Sequence, residues 1–502
     1  MVPVVGLWRP RWPFWLALAA IAGSASVSAW ALATVIDSGT LRYTLGGWAP
    51  PLGIEYVVDH VAAFVATVVT GVALMVVVST RQAAAWEMRG RLGFFYSLVL
   101  LLIAGLTGIV VTGDLFNVFV FLEISSLAAY ALVFLGGRRG MVAGYRYLNL
   151  GSIGGSFYLL GVAFLYFTTG TLNMADTLAI LREAGPSTPV SAGAVFIFIG
   201  LGLKMALVPL HLWLPDAYTY APSSVSALIA PIVTKVGAYV MIRMFLSVFP
   251  DGYLTDEVPI GTTLIVVGLA SMVFGSVAAM GQRDIRRMLA YSSISQVGLI
   301  AVGIGLATPL GFVAALLHIM NHAIMKATLF LASASVRLTT GASEIEGMAG
   351  LARGMPITMT AFAVGAVSMI GIPPSVGFFS KWYLSLAAIE EGRWVVVAFV
   401  LVSSLLSAVY LFRVLERAFL TPSPVPEYPA IAGAAPDAPL LPGSSGLRAG
   451  SGEPPRAAEP AIAMVREPSA DVTLPIVLLA AATIVLGVLN VVVVTNVLEP
   501  GV

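Results

Sequence analysis

The chain has 502 residues, of which 59% are hydrophobic and 10% charged, with a mean hydropathy of +0.95. Soluble domains carry about 25% charged residues, so this composition is that of an integral membrane protein. A net charge of +1 gives no electrostatic ground for a nucleic-acid partner, and the absence of cysteine excludes disulfides, iron–sulfur clusters and thiolate metal sites supplied by this chain.

The N-terminus opens basic, with Arg9 and Arg11, and the apolar stretch from Pro13 to about Ile36 is long enough to span a bilayer. No A-x-A-like cleavage site stands out, so this stretch reads as a retained helix rather than a signal peptide. Apolar segments of spanning length follow near 56–80, 92–112, 114–135, 142–167, 190–213, 223–249, 257–280, 285–305, 309–339, 355–390, 393–420 and 473–497. The chain is therefore expected to be an all-α polytopic membrane protein of thirteen transmembrane helices. The segments at 309–339 and 355–390 exceed one straight span and are expected to bend, break or extend past the bilayer.

Arginines sort the loops into two sides. One holds Arg9, Arg11, Arg81, Arg89, Arg91, Arg138, Arg139, Arg283, Arg286, Arg287, Arg337, Arg353, Arg417, Arg448, Arg456 and Arg466; the other holds little beyond Arg42, Arg182 and Arg393. The positive-inside rule then makes the N-terminus cytoplasmic and, after thirteen spans, places the C-terminus outside. Residues 421–470 carry eleven prolines and no apolar periodicity, and read as a disordered cytoplasmic linker, a tolerated insertion.

Two spans carry internal prolines, Pro209 in the sixth and Pro373–Pro374 in the eleventh, each the fourth member of a five-helix group. Interrupted segments at corresponding places in two halves point to a structural repeat with the functional site at the breaks. An odd number of spans per copy makes such repeats inverted. The expected organisation is N-terminal helices over 1–91, a first repeat over 92–249, a second over 257–420, the linker, and a C-terminal helix within 471–502.

Of 26 basic residues only four are lysines. Lys204, Lys235, Lys326 and Lys381 all lie within apolar segments, whereas nearly all the arginines lie in loops or at helix ends. Glu123 is the one acidic residue deep in a span. Charges at the membrane centre cost roughly 2.5–3.5 kcal/mol each on insertion scales, so five of them need a reason. Arginine keeps its proton under any attainable burial, whereas a desolvated lysine can release it. Pairing alone cannot satisfy four lysines with one carboxylate, so proton exchange is the favoured reading over helix cross-linking. Pro209 and Pro374 leave the carbonyls of Met205 and Ile370 without their helical donors, where they can hold water or stabilise a nearby charge.

In LLHIMNHAIMK, His318, His322 and Lys326 repeat at i, i+4, i+8 on one helical face. Histidine passes protons in either direction near neutrality, and three polar groups on one stripe favour a relay. A zinc site is disfavoured, because no third acidic ligand is near and Lys326 repels a cation. Tyr291, Ser292, Ser293, Ser295 and Gln296 either line a wet path or bond between helices. His211, Asp216, Asp59 and Asp114 read as interfacial, Asp59 with the alternative of facing an inlet.

The stretches "GDLFNVFVFLEISSLAAYALV", "GLKMALVPLHLWLPDAY", "SALIAPIVTKVGAYVMIR", "QRDIRRMLAYSSISQVG", "LLHIMNHAIMKATLFL" and "GIPPSVGFFSKW" resemble, in order, the antiporter-like subunits shared by respiratory complex I and Mrp-type cation/proton antiporters. "LRYTLGGWAPPLGIEYVVD" and the lysine of TKVG bring the resemblance closer to the Mrp type. The resemblance implies fourteen helices, two inverted five-helix repeats each with one broken helix, and both termini outside. It also implies roles: Glu123 and Lys204 as the membrane-centre pair, Lys235 as the bridging lysine, His318 as the relay of the second half, and Lys381 as the terminal lysine, with Lys326 and His322 at further motif positions. The family's first helix has no counterpart here, only MVPVVGLWRP preceding the 13–36 segment, through a misassigned start or a true absence.

The expected function is a proton-conducting subunit of a multisubunit Na⁺/proton antiporter in a prokaryotic cell membrane. It needs no cofactor or metal, and its partners are other membrane subunits, protons, Na⁺ and the lipid bilayer. The alternatives are a proton-pumping subunit of complex I or a membrane-bound hydrogenase, a scaffold without its own proton path, and a stand-alone transporter.

Overall fold

The computed structural model describes residues 12–422 and 465–502, together with Val2, Gly6 and Arg9. Most of the expected 421–470 linker lies outside the described residues. Among them, twelve helices are long and apolar enough to cross a membrane, or thirteen when the bent pair Glu346–Gly354 and Pro356–Ile370 is taken as one span. The chain is thus an all-α polytopic membrane protein. Its one sheet among the described residues is a hairpin pairing Leu41–Thr44 with Glu55–Val58.

Helix ends follow their local chemistry. Asp59, Asp114, Asp284 and Thr308 each accept a backbone N–H at the start of the helix they cap, satisfying a donor with no partner in the first turn. Gly170 and Gly341 close long helices in the left-handed conformation. Between Ile260–Met280 and Ile285–Gly305 the backbones approach so closely that a Cβ at Gly268 or Gly298 would collide with the facing chain, as is usual where membrane helices pack through small residues.

The core lies in three helices, Ser223–Val248, Ile285–Gly305 and Pro309–Thr340, which are buried along almost their whole apolar length. Trp12–Ser38 runs along the outside and is mostly exposed. The 309–339 segment resolves as one unbroken helix of 32 residues, so its surplus length extends rather than breaks. The 355–390 segment divides instead into Pro356–Ile370 and Val376–Glu390.

Both expected breaks are present. Thr188–Met205 stops at Ala206 and Pro356–Ile370 stops at Gly371, each of these two residues taking a left-handed conformation, φ +63° and +93°. Proline alone does not make the break, which corrects the reading that only two spans carry internal prolines. Pro231 lies inside Ser223–Arg243 and Pro475 inside Ala470–Val488, and both helices run on. A continuous helix absorbs one lost hydrogen bond, whereas a left-handed residue turns the chain out of the helical path.

Candidate functional site

The first break carries Lys204 in the last turn of its helix. Glu123, Ser126 and Tyr130 lie at i, i+3 and i+7 on Leu115–Phe134 and so share one face. The Lys204 ammonium donates to Ser126 Oγ at 2.8 Å, to Tyr130 Oη at 3.4 Å and to Glu123 Oε1 at 3.5 Å. The side chain of Lys204 is 9% exposed and that of Glu123 26%, so the carboxylate faces the perimeter of the chain and the lysine its interior. Gly155 lies opposite, where a Cβ would run into the Glu123 carboxylate. The carbonyls freed at this break do not hold Lys204. Instead, Leu203 O accepts the indole N–H of Trp213 at 2.9 Å, and Val208 N–H is taken by Ser271 Oγ at 3.0 Å.

At the second break the carbonyls do hold the lysine. Lys381 enters from the helix beyond the break and donates to Met369 O at 3.0 Å and Ile370 O at 2.8 Å, with Ser404 Oγ at 3.0 Å. Ile370 O is the acceptor that Pro374 leaves free. A Cβ at Gly371 would lie 3.1 Å from the Lys381 stem, so the glycine serves both the left-handed turn and the close approach of the lysine.

Between the breaks lies a buried row. Lys235, 1% exposed, donates to Ala230 O at 2.7 Å and Thr234 Oγ1 at 3.2 Å. Its helix packs against Pro309–Thr340, on which His318, His322 and Lys326 are buried. His318 Nδ1 lies 2.9 Å from Ser380 Oγ, the residue before Lys381. The His318 and His322 rings face each other at 5.9 Å between centroids, nearly parallel. Lys326 turns to the neighbouring helix, donating to Leu289 O at 2.7 Å and Ser292 Oγ at 2.6 Å. Both ring nitrogens of His322, Nε2 of His318 and both amide ends of Gln296 are buried without a partner among the described residues.

All five residues expected to carry the relay, and the two beside them, therefore lie at or between the two breaks. Sequence reasoning missed the hydroxyls that hold the amines and imidazole, namely Ser126, Tyr130, Thr234, Ser380 and Ser404; serine, threonine and tyrosine are too common in membrane helices to signal this. Ser295 bonds Ser276 and Ser403 across helices, while Ser292 serves Lys326. Asp59 forms a two-point pair with Arg243 at 2.6 and 2.7 Å. Asp216 pairs with Arg146 and Arg287.

The family model described as NADH:quinone oxidoreductase/Mrp antiporter, TM, matches residues 112–407. The chain is 43% identical over 486 residues to an NADH-quinone oxidoreductase subunit of Desulforudis audaxviator, covering 96% of this chain and 91% of the relative. It is 33% identical over 401 residues to a Na(+)/H(+) antiporter subunit of Alkalihalophilus pseudofirmus, covering 80% of each. Among solved structures it resembles a chain of the Mrp complex from Dietzia sp. DQ12-45-1b, with TM-score 0.84 and 28% identity over 98% of this chain and 92% of that one. It also resembles a chain of the membrane-bound sulfane sulfur reductase, an archaeal respiratory membrane complex, with TM-score 0.85 and 32% identity over 100% and 94%.

Proposed function

The chain belongs to the NADH:quinone oxidoreductase/Mrp antiporter transmembrane family, and on that premise we propose that it conducts protons as one subunit of a multisubunit Na⁺/H⁺ antiporter in a prokaryotic cell membrane. The observation that carries this reading is the buried row from the Glu123–Lys204 pair through Lys235 and His318 to Lys381, which touches both broken helices. Lys326 and His322 extend it sideways toward Ser292. Buried polar groups bond either protein or ordered water, so the partnerless nitrogens of His318 and His322 and the Gln296 amide support water completing the path.

In this mechanism Glu123 holds the Lys204 proton, and a charge shift passes along the row by repulsion. Two like charges at ~8 Å with an effective dielectric of ~20 repel by ~2 kcal/mol, enough to discourage adjacent sites from being charged together. We also propose the division into inverted repeats over 92–249 and 257–420, supported by the matching left-handed turns at Ala206 and Gly371. The partners are then the other membrane subunits of the antiporter. The test is Na⁺-driven pH change in inverted vesicles. Lys204→Ala should abolish it while the complex still assembles; full exchange in that variant would end the relay reading.

A second reading draws on the relatives in respiratory complexes: the same row would serve a redox-driven pump. The chain's residues conduct identically in both, so the co-purifying subunits decide. Quinone- or iron–sulfur-binding partners would assign the redox complex, and small membrane subunits alone the antiporter.

A further inference from the structure

On the side that the loop arginines mark as cytoplasmic, two neighbouring cavities of about 520 and 540 Å³ share Arg146, Asp216 and Arg287 in their walls. Arg138, Arg139 and Val142 help to complete one; His211, Leu212 and Tyr291 help to complete the other. None of these residues belongs to the proton row.

The walls carry four arginines against one carboxylate. Asp216 already pairs with Arg146 at 2.7 Å and Arg287 at 3.3 Å, and Arg138 and Arg139 form no ion pair among the described residues. His211 is 5% exposed, and its Nδ1 has no hydrogen-bond partner among the described residues. Depth follows from helix length. Gly137–Thr169 has 33 residues, about 50 Å at 1.5 Å per residue, against a hydrocarbon core of about 30 Å. The surplus length, together with the charge of Arg138 and Arg139 in its first turn, favours basic first turns at headgroup level. Beside the charges, Val142 and Leu212 present apolar side chains, 53% and 67% exposed.

We propose that the two adjoining cavities seat an anionic phospholipid of the cytoplasmic leaflet, its phosphodiester held by Arg138, Arg139, Arg146 and Arg287 and its acyl chains lying along Val142 and Leu212. Excess guanidinium charge selects the phosphate, which arginine binds through two parallel donors. The apolar wall at membrane depth selects an amphiphile over a free anion. Basic pockets between membrane helices on the cytoplasmic side bind lipid headgroups by this combination. The seat joins the first turns of Gly137–Thr169 to the segment after the first break and to Ile285–Gly305.

The test places a benzophenone photocrosslinker at Leu212 in the intact complex, reconstituted with either phosphatidylglycerol or phosphatidylcholine, and reads the adduct by mass. Phosphatidylglycerol is expected to label preferentially, and Arg138→Gln/Arg139→Gln to reduce that labelling roughly thirtyfold. The double lysine variant, Arg138→Lys/Arg139→Lys, should restore part of it, the charge without the two-point contact, which separates lost charge from misfolding. Equal labelling by the two lipids, or undiminished labelling in the glutamine variant, overturns the proposal. Adducts to a partner subunit would assign the surface to protein instead. Loss of the lipid adduct on adding millimolar inorganic phosphate would assign the charges to a free anion.

Discussion

Lys204 and Lys381 are buried amines with different ligands, and the difference sets what each substitution should do. Lys204 has a carboxylate within 3.5 Å, whereas Lys381 is held by two carbonyls and a hydroxyl. Carbonyls accept from an ammonium or a neutral amine alike, so the second site tolerates either protonation state. Arginine in place of Lys381 would keep donors and charge but never give up the proton. Lys381→Arg is therefore expected to assemble normally and to lose most cation-driven proton exchange. Wild-type exchange in that variant would show that only the fixed charge matters. At the first site, Ser126→Ala removes the shortest bond to Lys204 and leaves a buried donor short of a partner, a cost of about 1–3 kcal/mol. It should slow exchange by less than Glu123→Gln does, since the carboxylate, not the hydroxyl, compensates the charge; the reverse order in vesicle assays would place the proton contact on Ser126.

At the scale of elements, the sequence made the breaks legible through Pro209 and Pro374 but concealed why Pro231 and Pro475 leave their helices whole. The deciding feature is the left-handed residue, glycine at 371 but alanine at 206. Alanine there costs roughly 1–2 kcal/mol relative to the right-handed form, so Ala206→Gly is expected to raise thermal stability, read as the melting temperature of the complex. A second pairing invisible in sequence joins Asp59 to Arg243 across 184 positions. It pins the start of His60–Ser79 to Ser223–Val248. Asp59, which precedes its span, is pushed up by burial and pulled down further by the Arg243 guanidinium, ending below its ordinary value of 3.8. A lowered carboxylate stabilises the fold above its unfolded-state value, and that contribution is lost as pH falls through the folded-state value. Removing one partner of such a pair costs about 3–5 kcal/mol. Arg243→Gln should lower the melting temperature at neutral pH and narrow its difference from wild type in strong acid; a constant difference across pH would exclude the ion pair as the cause.

Across the whole molecule, the burial of all four lysines was readable from their place within apolar segments. Beyond the Glu123–Lys204 pair, which residues answer each lysine was not readable, because the answering groups are carbonyls and common hydroxyls brought together by packing. Under the proposed division into repeats, the row crosses from one half to the other. Helix Ser223–Arg243 packs against Leu92–Val111 and Thr188–Met205 and also against Ile285–Gly305 and Pro309–Thr340. Lys235 is its one lysine, held by its own helix through Ala230 and Thr234, with no hydrogen bond to the proposed second half among the described residues. If protons cross between halves, they pass this amine. Lys235→Met, of similar length and apolar, should leave the Glu123–Lys204 pair and the His318–Ser380 contact untouched and the complex assembled, yet cut cation-driven exchange to roughly the level of Lys204→Ala. Lys235→Arg should fail as well, because the charge is kept but the proton is not released. Exchange at the wild-type rate in Lys235→Met vesicles would mean that the two halves conduct by separate paths.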